Sequence, residues 1–371
     1  MENFFEIIKT EGSARVGKIK TRNGEINTPF FMPDATRGFV KMLNNSDLEK
    51  VGMGPMVVNT YHLYLQPGME IIKKAGGVHK FMNWKGPLLS DSGGYQIFSL
   101  IHRNSNMGKI TDESAIFRSM LDGKKHELTP EKSIQIQFDL GVDMMVVLDD
   151  VPPVSYSDKR LKIAIERTLL WARRCKIEYE KQIKERKIEE NQRPLIFGVI
   201  QGGKNVALRK YCAEELVKLD FDGYGFGARH IDENGDLMED MVRETAMMIP
   251  ANKLRFALGV GTPGDIVKFV DWGWDMFDCV IPTREGRHGR LFIRKHNDFS
   301  KSDFYETINI NNEKFKEDFL PVDANCDCEL CQNHTKSYLR HLFVSKDSLG
   351  MRLSAIHNLK FYLDLMNKLK K

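Results

Sequence analysis

Short apolar runs recur along the chain, separated by longer amphipathic stretches. The runs are Thr28–Met32, Pro55–Val58, Pro87–Leu89, Met144–Leu148, Pro194–Ile200, Gly223–Phe226, Leu254–Leu258 and Met276–Ile281. Several are apolar at both parities, the pattern of a parallel strand buried on both faces. Between them lie helical patterns. The clearest opens at Ser157, a residue suited to an N-cap, and runs through Leu161, Ile165, Leu169, Ala172, Cys175 and Tyr179 at three- and four-residue spacing. Eight strand–helix alternations in one chain predict an α/β fold of the (β/α)8 TIM-barrel type.

The same pattern divides the chain into three. Residues 1–27 read as an N-terminal β-hairpin turning at Arg22-Asn23-Gly24 and capping the barrel bottom. Residues 28–320 form the barrel. Residues 321–371 form a smaller C-terminal subdomain whose last helix shows Ile356, Leu359, Leu363 and Met366 on one face. The charged stretch Lys181–Arg193 reads as a helix end and solvated loop.

Composition narrows the class without naming an activity. With 42% hydrophobic and 29% charged residues, the 371-residue chain is expected to be a soluble globular protein. It has no apolar run long enough to span a bilayer, and no signal-peptide core follows Met1-Glu2-Asn3. A net charge of +4 permits an RNA partner without demanding one.

Three of the six cysteines cluster. Cys326-x-Cys328-x-x-Cys331, with the distant His357, makes a Cys3His set, the closed tetrahedral inventory of one structural Zn2+. His357 sits on the last predicted helix, so the metal would pin that helix to the cysteine loop. The remaining Cys175, Cys212 and Cys279 are scattered, which fits a reducing cytoplasm.

Nearly every predicted strand ends in polar or glycine-rich chemistry, and in a barrel of this kind those ends build the active site. Leu89 leads to Ser90-Asp91-Ser92-Gly93-Gly94-Tyr95-Gln96, Leu148 to Asp149-Asp150, Ile200 to Gln201-Gly202-Gly203, Leu258 to Gly259-Val260-Gly261, and Phe277 to Asp278. Carboxylates facing each other across a barrel mouth suit glycosyl chemistry. One attacks an anomeric carbon while another moves a proton at the leaving group, and a third can accept N–H groups from a base edge. After Asp278 comes Thr283-Arg284-Glu285-Gly286-Arg287-His288-Gly289-Arg290, an arginine-rich segment suited to phosphate. Tyr95 is placed to stack on a planar ring. These features leave open a retaining glycoside hydrolase and a zinc-dependent RNA-binding protein without catalysis.

Taken together, Asp91-Ser92-Gly93-Gly94-Tyr95-Gln96, Phe277-Asp278-Cys279-x-x-Pro282-Thr283-Arg284, Asn59-Thr60-Tyr61-His62-Leu63 and the Cys3His set resemble the tRNA-guanine transglycosylase family over almost the whole chain. The resemblance implies a homodimeric, bacterial-type enzyme that pairs through the zinc subdomain near Tyr338 and His341. Such an enzyme replaces the wobble guanine of the tRNA anticodon loop with a 7-deazaguanine base, prequeuosine base or queuine. Since the sequence ends at Lys371 without a further RNA module, the archaeal variant is not expected. The implied roles are Asp278 as nucleophile and Asp91 as general acid/base. Asp149, Gln201 and the Gly223 backbone would read the base edge, Tyr95 and Leu258 would sandwich the ring, and Arg284 and Arg287 would hold the RNA. The chain departs from the family pattern at Val151 and at Tyr224, Phe226 and Ala228. At Ala228 no carboxylate is present to meet a cationic aminomethyl group, so weaker selectivity for the prequeuosine base is expected, with queuine a plausible substrate.

Overall fold

The structure is a computed structural model that describes residues 4–153 and 156–370. Met1–Asn3, at the start of the expected hairpin, lie outside them, as does Lys371. The N-terminal segment is larger than a hairpin. Phe5–Glu11 (β1), Ala14–Thr21 (β2) and Gly24–Thr28 (β3) form a three-stranded antiparallel sheet in sequence order. Its second turn falls at Arg22-Asn23, where expected. The strand missed, β1, is exposed along most of its length and so lacks a clear apolar face.

All eight expected core strands form. Phe30–Pro33 (β4), Met56–Asn59 (β5) and Leu88–Asp91 (β6) come first. A small antiparallel sheet then intervenes, Gly108–Ile110 (β7), Ala115–Arg118 (β8) and Lys125–Leu128 (β9). Met144–Val146 (β10), Leu195–Ile200 (β11), Gly223–Phe226 (β12), Leu254–Ala257 (β13) and Met276–Cys279 (β14) complete the set. The parallel ladder runs from β4 through β14 and back in order to β5. An Asp34–Val57 bridge and the 2.7 Å bond from the Ala35 amide to the Val57 carbonyl join β4 to β5 and close the barrel. Two of the later strands end sooner than their apolar runs: Val147 and Leu148 lie past the end of β10 in the outer core, and a helix with Pro282 in its first turn begins at Ile281.

Strand alternation sorts the residues into two cores. Phe30, Met32, Val57, Leu89, Met144, Val146, Leu195, Phe197, Val199, Leu254, Phe256 and Met276 fill the barrel interior. Phe5, Ile19 and Ile26 of the N-terminal sheet complete that cluster and seal its lower end. Phe31, Val58, Leu88, Ile196, Tyr224, Phe226, Ala257 and Phe277 point outward under the helices. The helix predicted from Ser157 is Asp158–Glu185, and Leu161, Ile165, Leu169, Ala172, Cys175 and Tyr179 are all buried along it.

Beyond the barrel, Arg290–Arg294 (β15) pairs with Tyr305–Asn309 (β16), and the short helix Glu329–Asn333 leads to Lys336–Val344 and the long Ser348–Leu369. This last helix is buried almost all round from Leu353 to Tyr362, because it lies between the barrel and the cysteine loop. Leu363 is only partly covered. Among the described residues no helix is long and apolar enough to cross a membrane.

The N-terminal sheet is clamped by a buried pair. Arg15 donates through Nε to Asp275 at 2.8 Å and through Nη2 to the same carboxylate. It also donates to the carbonyls of Ala251 and Lys253, both at 2.6 Å. Removing one partner of such a pair leaves a buried charge uncompensated. Arg15→Met should therefore cost about 3–5 kcal/mol, read as a fall in the urea midpoint; a midpoint equal to wild type would show that the clamp contributes nothing.

Candidate functional site

The barrel mouth collects the acidic strand ends. Asp91 continues the inward parity of Leu89, and Asp278 that of Met276. Asp91 is tightly held. Its Oδ1 accepts the backbone N–H groups of Thr60 and Gly93, both at 3.1 Å, and its Oδ2 accepts the side-chain amides of Asn59 and, at 3.4 Å, Gln96. Asn59 can serve it because its own Oδ1 caps the next helix turn by accepting the His62 amide at 3.0 Å. Asp278 has one such partner, the Gly259 N–H at 2.9 Å.

Both carboxyls are pushed up to about 7. For each the main cause is removal from water, which disfavours the charged form. Backbone N–H groups pull the other way at both sites, and the negative charge of Asp34 adds to the rise at both. Asp34 stands at the end of β4 and is itself raised to about 6, chiefly by burial, while Arg284 and Arg287 draw it down. Sequence reasoning passed over it because Pro33-Asp34-Ala35 looks like an ordinary turn.

A second acidic group faces the same cup. Asp149 is buried and accepts the Gln201 amide at 2.6 Å. Its carboxyl is also raised to about 7, by burial first, with the Gln201 hydrogen bond opposing and the neighbouring Asp150 charge assisting. The carbonyl oxygen Oε1 of Gln201 is buried with no partner. A buried acceptor left open in this way is set to receive an N–H from a bound molecule. Asp150 belongs to the scaffold, since its carboxylate accepts from Arg167 and its backbone N–H donates to the Thr168 hydroxyl at 3.1 Å.

Leu258, at the inward parity of β13, lies over Gly225, where an added Cβ would collide with its side chain. Tyr95 is 59% exposed at the start of the Gly94–Arg103 helix. It lines a cleft of about 330 Å³ with Arg37, His62, Gln66 and Arg103, so one face of its ring is free to stack.

Three placements differ from expectation. Gly223 begins β12 at the barrel bottom, wedged against Phe197 and Leu254, and does not reach the mouth. The backbone beside Gln201 is that of Gly227 and Ala228, the latter in the left-handed region at φ 69°. Tyr224 and Phe226 point into the outer core and are not pocket walls. The period-two pattern carried this information: the glycines of Gly223-Tyr224-Gly225-Phe226 sit at the inward parity. Also unforeseen was Arg209, fully buried, which donates to the carbonyls of Ile200, Gly203 and Gly227 at 3.2, 2.9 and 3.0 Å.

Arg284 and Arg287 lie on the helix Ile281–Arg287 directly after Asp278. Arg284 is half exposed and donates to Glu285 at 3.2 Å.

Away from the mouth, Cys326, Cys328, Cys331 and His357 are all buried, and their donor atoms lie within 4.8 Å of one another. His357 Nδ1 faces the Cys331 and Cys328 sulfurs at 3.3 and 3.5 Å. Its Nε2 lies 2.8 Å from the Phe292 carbonyl. That contact fixes the proton on Nε2 and leaves Nδ1 as a lone-pair donor, the arrangement of a metal-ligating histidine. The four donors suit one metal ion with a closed shell.

A family profile described as queuine tRNA-ribosyltransferase matches residues 10–371. A queuine tRNA-ribosyltransferase of Halothermothrix orenii is 42% identical over 357 residues, covering 96% of this chain and 89% of the relative. One of Staphylococcus aureus (strain bovine RF122) is 43% identical over 371 residues, covering 99% of this chain and 91% of the relative.

The metal cluster gives a direct test. Freshly purified protein should carry one metal ion per chain by elemental analysis. Cys328→Ser or chelation should lower Tm by roughly 10 °C or more, because such an ion contributes its binding energy to folding. Absence of bound metal from protein never exposed to chelator would refute the site.

Proposed function

The chain belongs to the queuine tRNA-ribosyltransferase family, and from that premise we propose how its own residues exchange the wobble guanine of a tRNA anticodon for a 7-deazaguanine base. The observation that carries the reading is the pairing of two near-neutral carboxyls, Asp91 and Asp278, with an open base-edge reader, Asp149 and Gln201, in one barrel mouth.

Asp278, ionised, attacks the ribose C1′. The C1′–N9 bond to guanine breaks as the C1′–Oδ bond forms, giving a covalent ribosyl ester. Asp91, protonated, gives its proton to the departing guanine. The incoming base then loses its N9 proton to Asp91, its N9 attacks C1′, and Asp278 leaves as carboxylate. Protonated Asp91 and ionised Asp278 must therefore coexist, and two groups poised near 7 allow it.

Asp149 and the open Oε1 of Gln201 accept the N–H groups of the guanine-like edge, with the Gly227–Ala228 backbone in the place first given to Gly223. Tyr95 and Leu258 enclose the ring. Arg284 and Arg287 take the anticodon-loop phosphates. The pocket side toward ring position seven lies near Val151 and Ala228 and supplies no carboxylate, so prequeuosine base and queuine are both candidate substrates. The ion at the Cys3His cluster is Zn2+, structural in role. The enzyme works in the cytoplasm as a homodimer through the zinc subdomain, where Tyr338, 40% exposed, stands clear of the core. A glycoside hydrolase or a catalytically silent RNA-binding barrel would have no use for both an open base-edge reader and a poised carboxyl pair.

Incubated with tRNA and base, wild-type protein should give a covalent protein–RNA band on denaturing gels, and Asp278→Asn should abolish both band and turnover. Persistence of the band in Asp278→Asn would overturn the nucleophile assignment.

For the arginines, Arg284→Ala and Arg287→Ala should each weaken tRNA binding and flatten its salt dependence by about one unit of slope. Unchanged affinity and slope in both would return these residues to an ordinary solvated helix face.

A further inference from the structure

Asp34 has no assigned part in the reaction just described, yet the topology places it between the two residues that do. Around the mouth the strands run β14, β4, β5, β6. Asp278 is in register with Met32 and Cys279 with Pro33, so Asp34 follows immediately beside the nucleophile's strand end. On the other side Asp34 bridges to Val57, and two residues on, Asn59 is in register with Asp91. Phe30 and Met32 point into the barrel, so the next residue of that parity, Asp34, points into the mouth. Three carboxyls thus share one arc of a poorly solvated cup.

We propose that Asp34 is a positioning residue of the reaction centre, whose fixed negative charge stops the Asp91–Asp278 pair from losing both protons at neutral pH. The inference rests on the base-exchange reading above. Its physical basis is that like charges crowded in one desolvated site cannot all ionise. The charged and titratable groups acting around Asp34 are Asp91 on β6, Asp278 and Cys279 on β14, and Arg284 and Arg287 on the following helix. Arg37, further along the same loop, acts on His62. The arginines favour ionised Asp34, whereas no such cation acts on Asp91 or Asp278. With that support Asp34 holds its charge, and among neighbouring charges it acts on both partners in the direction that keeps a proton. The pair is then left with one charge to distribute, on Asp278, which has the Gly259 N–H to receive it.

Asp34→Asn keeps the shape and removes the charge, and Asp34→Glu keeps the charge. In Asp34→Asn the bell-shaped pH profile of kcat for labelled-guanine exchange should move down by on the order of one pH unit. On the alkaline limb the rate should then fall about tenfold below wild type at the same pH, while Asp34→Glu should restore the wild-type limbs. An unmoved profile overturns the proposal, whether the rate is normal or uniformly lowered; the second result would mark Asp34 as structural. 13C NMR titration of aspartate-labelled protein reads the Asp91 and Asp278 carboxyls without catalysis. If wild type shows no exchange the base-exchange reading fails, and the titration still decides whether Asp34 governs the pair: carboxyls that titrate identically in wild type and Asp34→Asn sink it.

Discussion

The seat of the C-terminal helix Ser348–Leu369 is the constraint on which the mouth depends. One side of it carries His357, turned to the three thiols and held by the Phe292 carbonyl. The next residue, Asn358, uses its whole amide on the barrel side. It donates to the carbonyls of Pro282 and Arg290, both at 2.9 Å, and accepts the Phe292 N–H at 3.2 Å. One turn on, the Tyr362 hydroxyl donates to the Gly261 carbonyl at 2.6 Å. Gly286 lets the arginine-bearing helix pack against the backbone of Ser354, where any Cβ would collide. The metal cluster, the Ile281–Arg287 helix and the Gly259–Gly261 loop that serves Asp278 are therefore one assembly. His357, Asn358 and Tyr362 are all buried, so shifting the helix would leave several polar groups unsatisfied at once. The Cys3His cluster, far from the mouth, is in this way tied to the loop whose N–H serves Asp278.

The mouth itself is built on a tension between burial and charge. Asp91, Asp149 and Asp278 are each raised to about 7 by loss of water, and each is kept from rising further by directed N–H groups. The donors differ in kind. Asp91 has two backbone N–H groups and two side-chain amides, Asp278 has a single backbone N–H, and Asp149 has the Gln201 amide together with its own backbone N–H. The best-held group suits a proton shuttle that must not wander between steps. The least encumbered suits a nucleophile that must form a bond, and the amide-paired one suits recognition, where a fixed acceptor is wanted. In the exchange we propose, one chemical type thus fills three roles by environment alone.

Much of this was legible in the sequence, and what was not has physical causes. The barrel strands were readable because parallel strands buried on both faces leave dense apolar runs, and Cys326, Cys328, Cys331 with His357 because metal donors are chemically distinctive. The sheet of Gly108–Leu128 was not readable, since strands of three or four residues with one exposed face carry too little pattern. Gly223 was placed at the mouth although its strand runs three residues further before turning; a motif match carries no strand direction, whereas parity and register do. Asp34 escaped notice because it looks like a turn residue locally, and Asn59, though part of a family motif, carried no role there because it looks like a cap. Their importance comes from the lateral order of strands, which only closure of the barrel creates.

Arg209 shows how the recognition half of the site is held without touching a ligand. Its guanidinium is fully buried and meets no carboxylate; it is lowered to about 9 by that burial. It spends its donors on the carbonyls of Ile200, just before Gln201, of Gly203, two residues after it, and of Gly227, whose backbone Gln201 abuts, and it rests 4.0 Å from the centre of the Phe226 ring. A lysine could offer its three donors only from one point, whereas the planar fork of arginine reaches two strands and a loop together. Rigid carbonyls on both sides leave the Gln201 side chain little freedom. Its amide then points at Asp149, and its Oε1 is left without a partner from the protein. A buried acceptor with no partner from the protein itself is one that an arriving N–H donor can satisfy. The cation therefore bears on Gln201 through the backbone on either side of it, not by contact with its side chain.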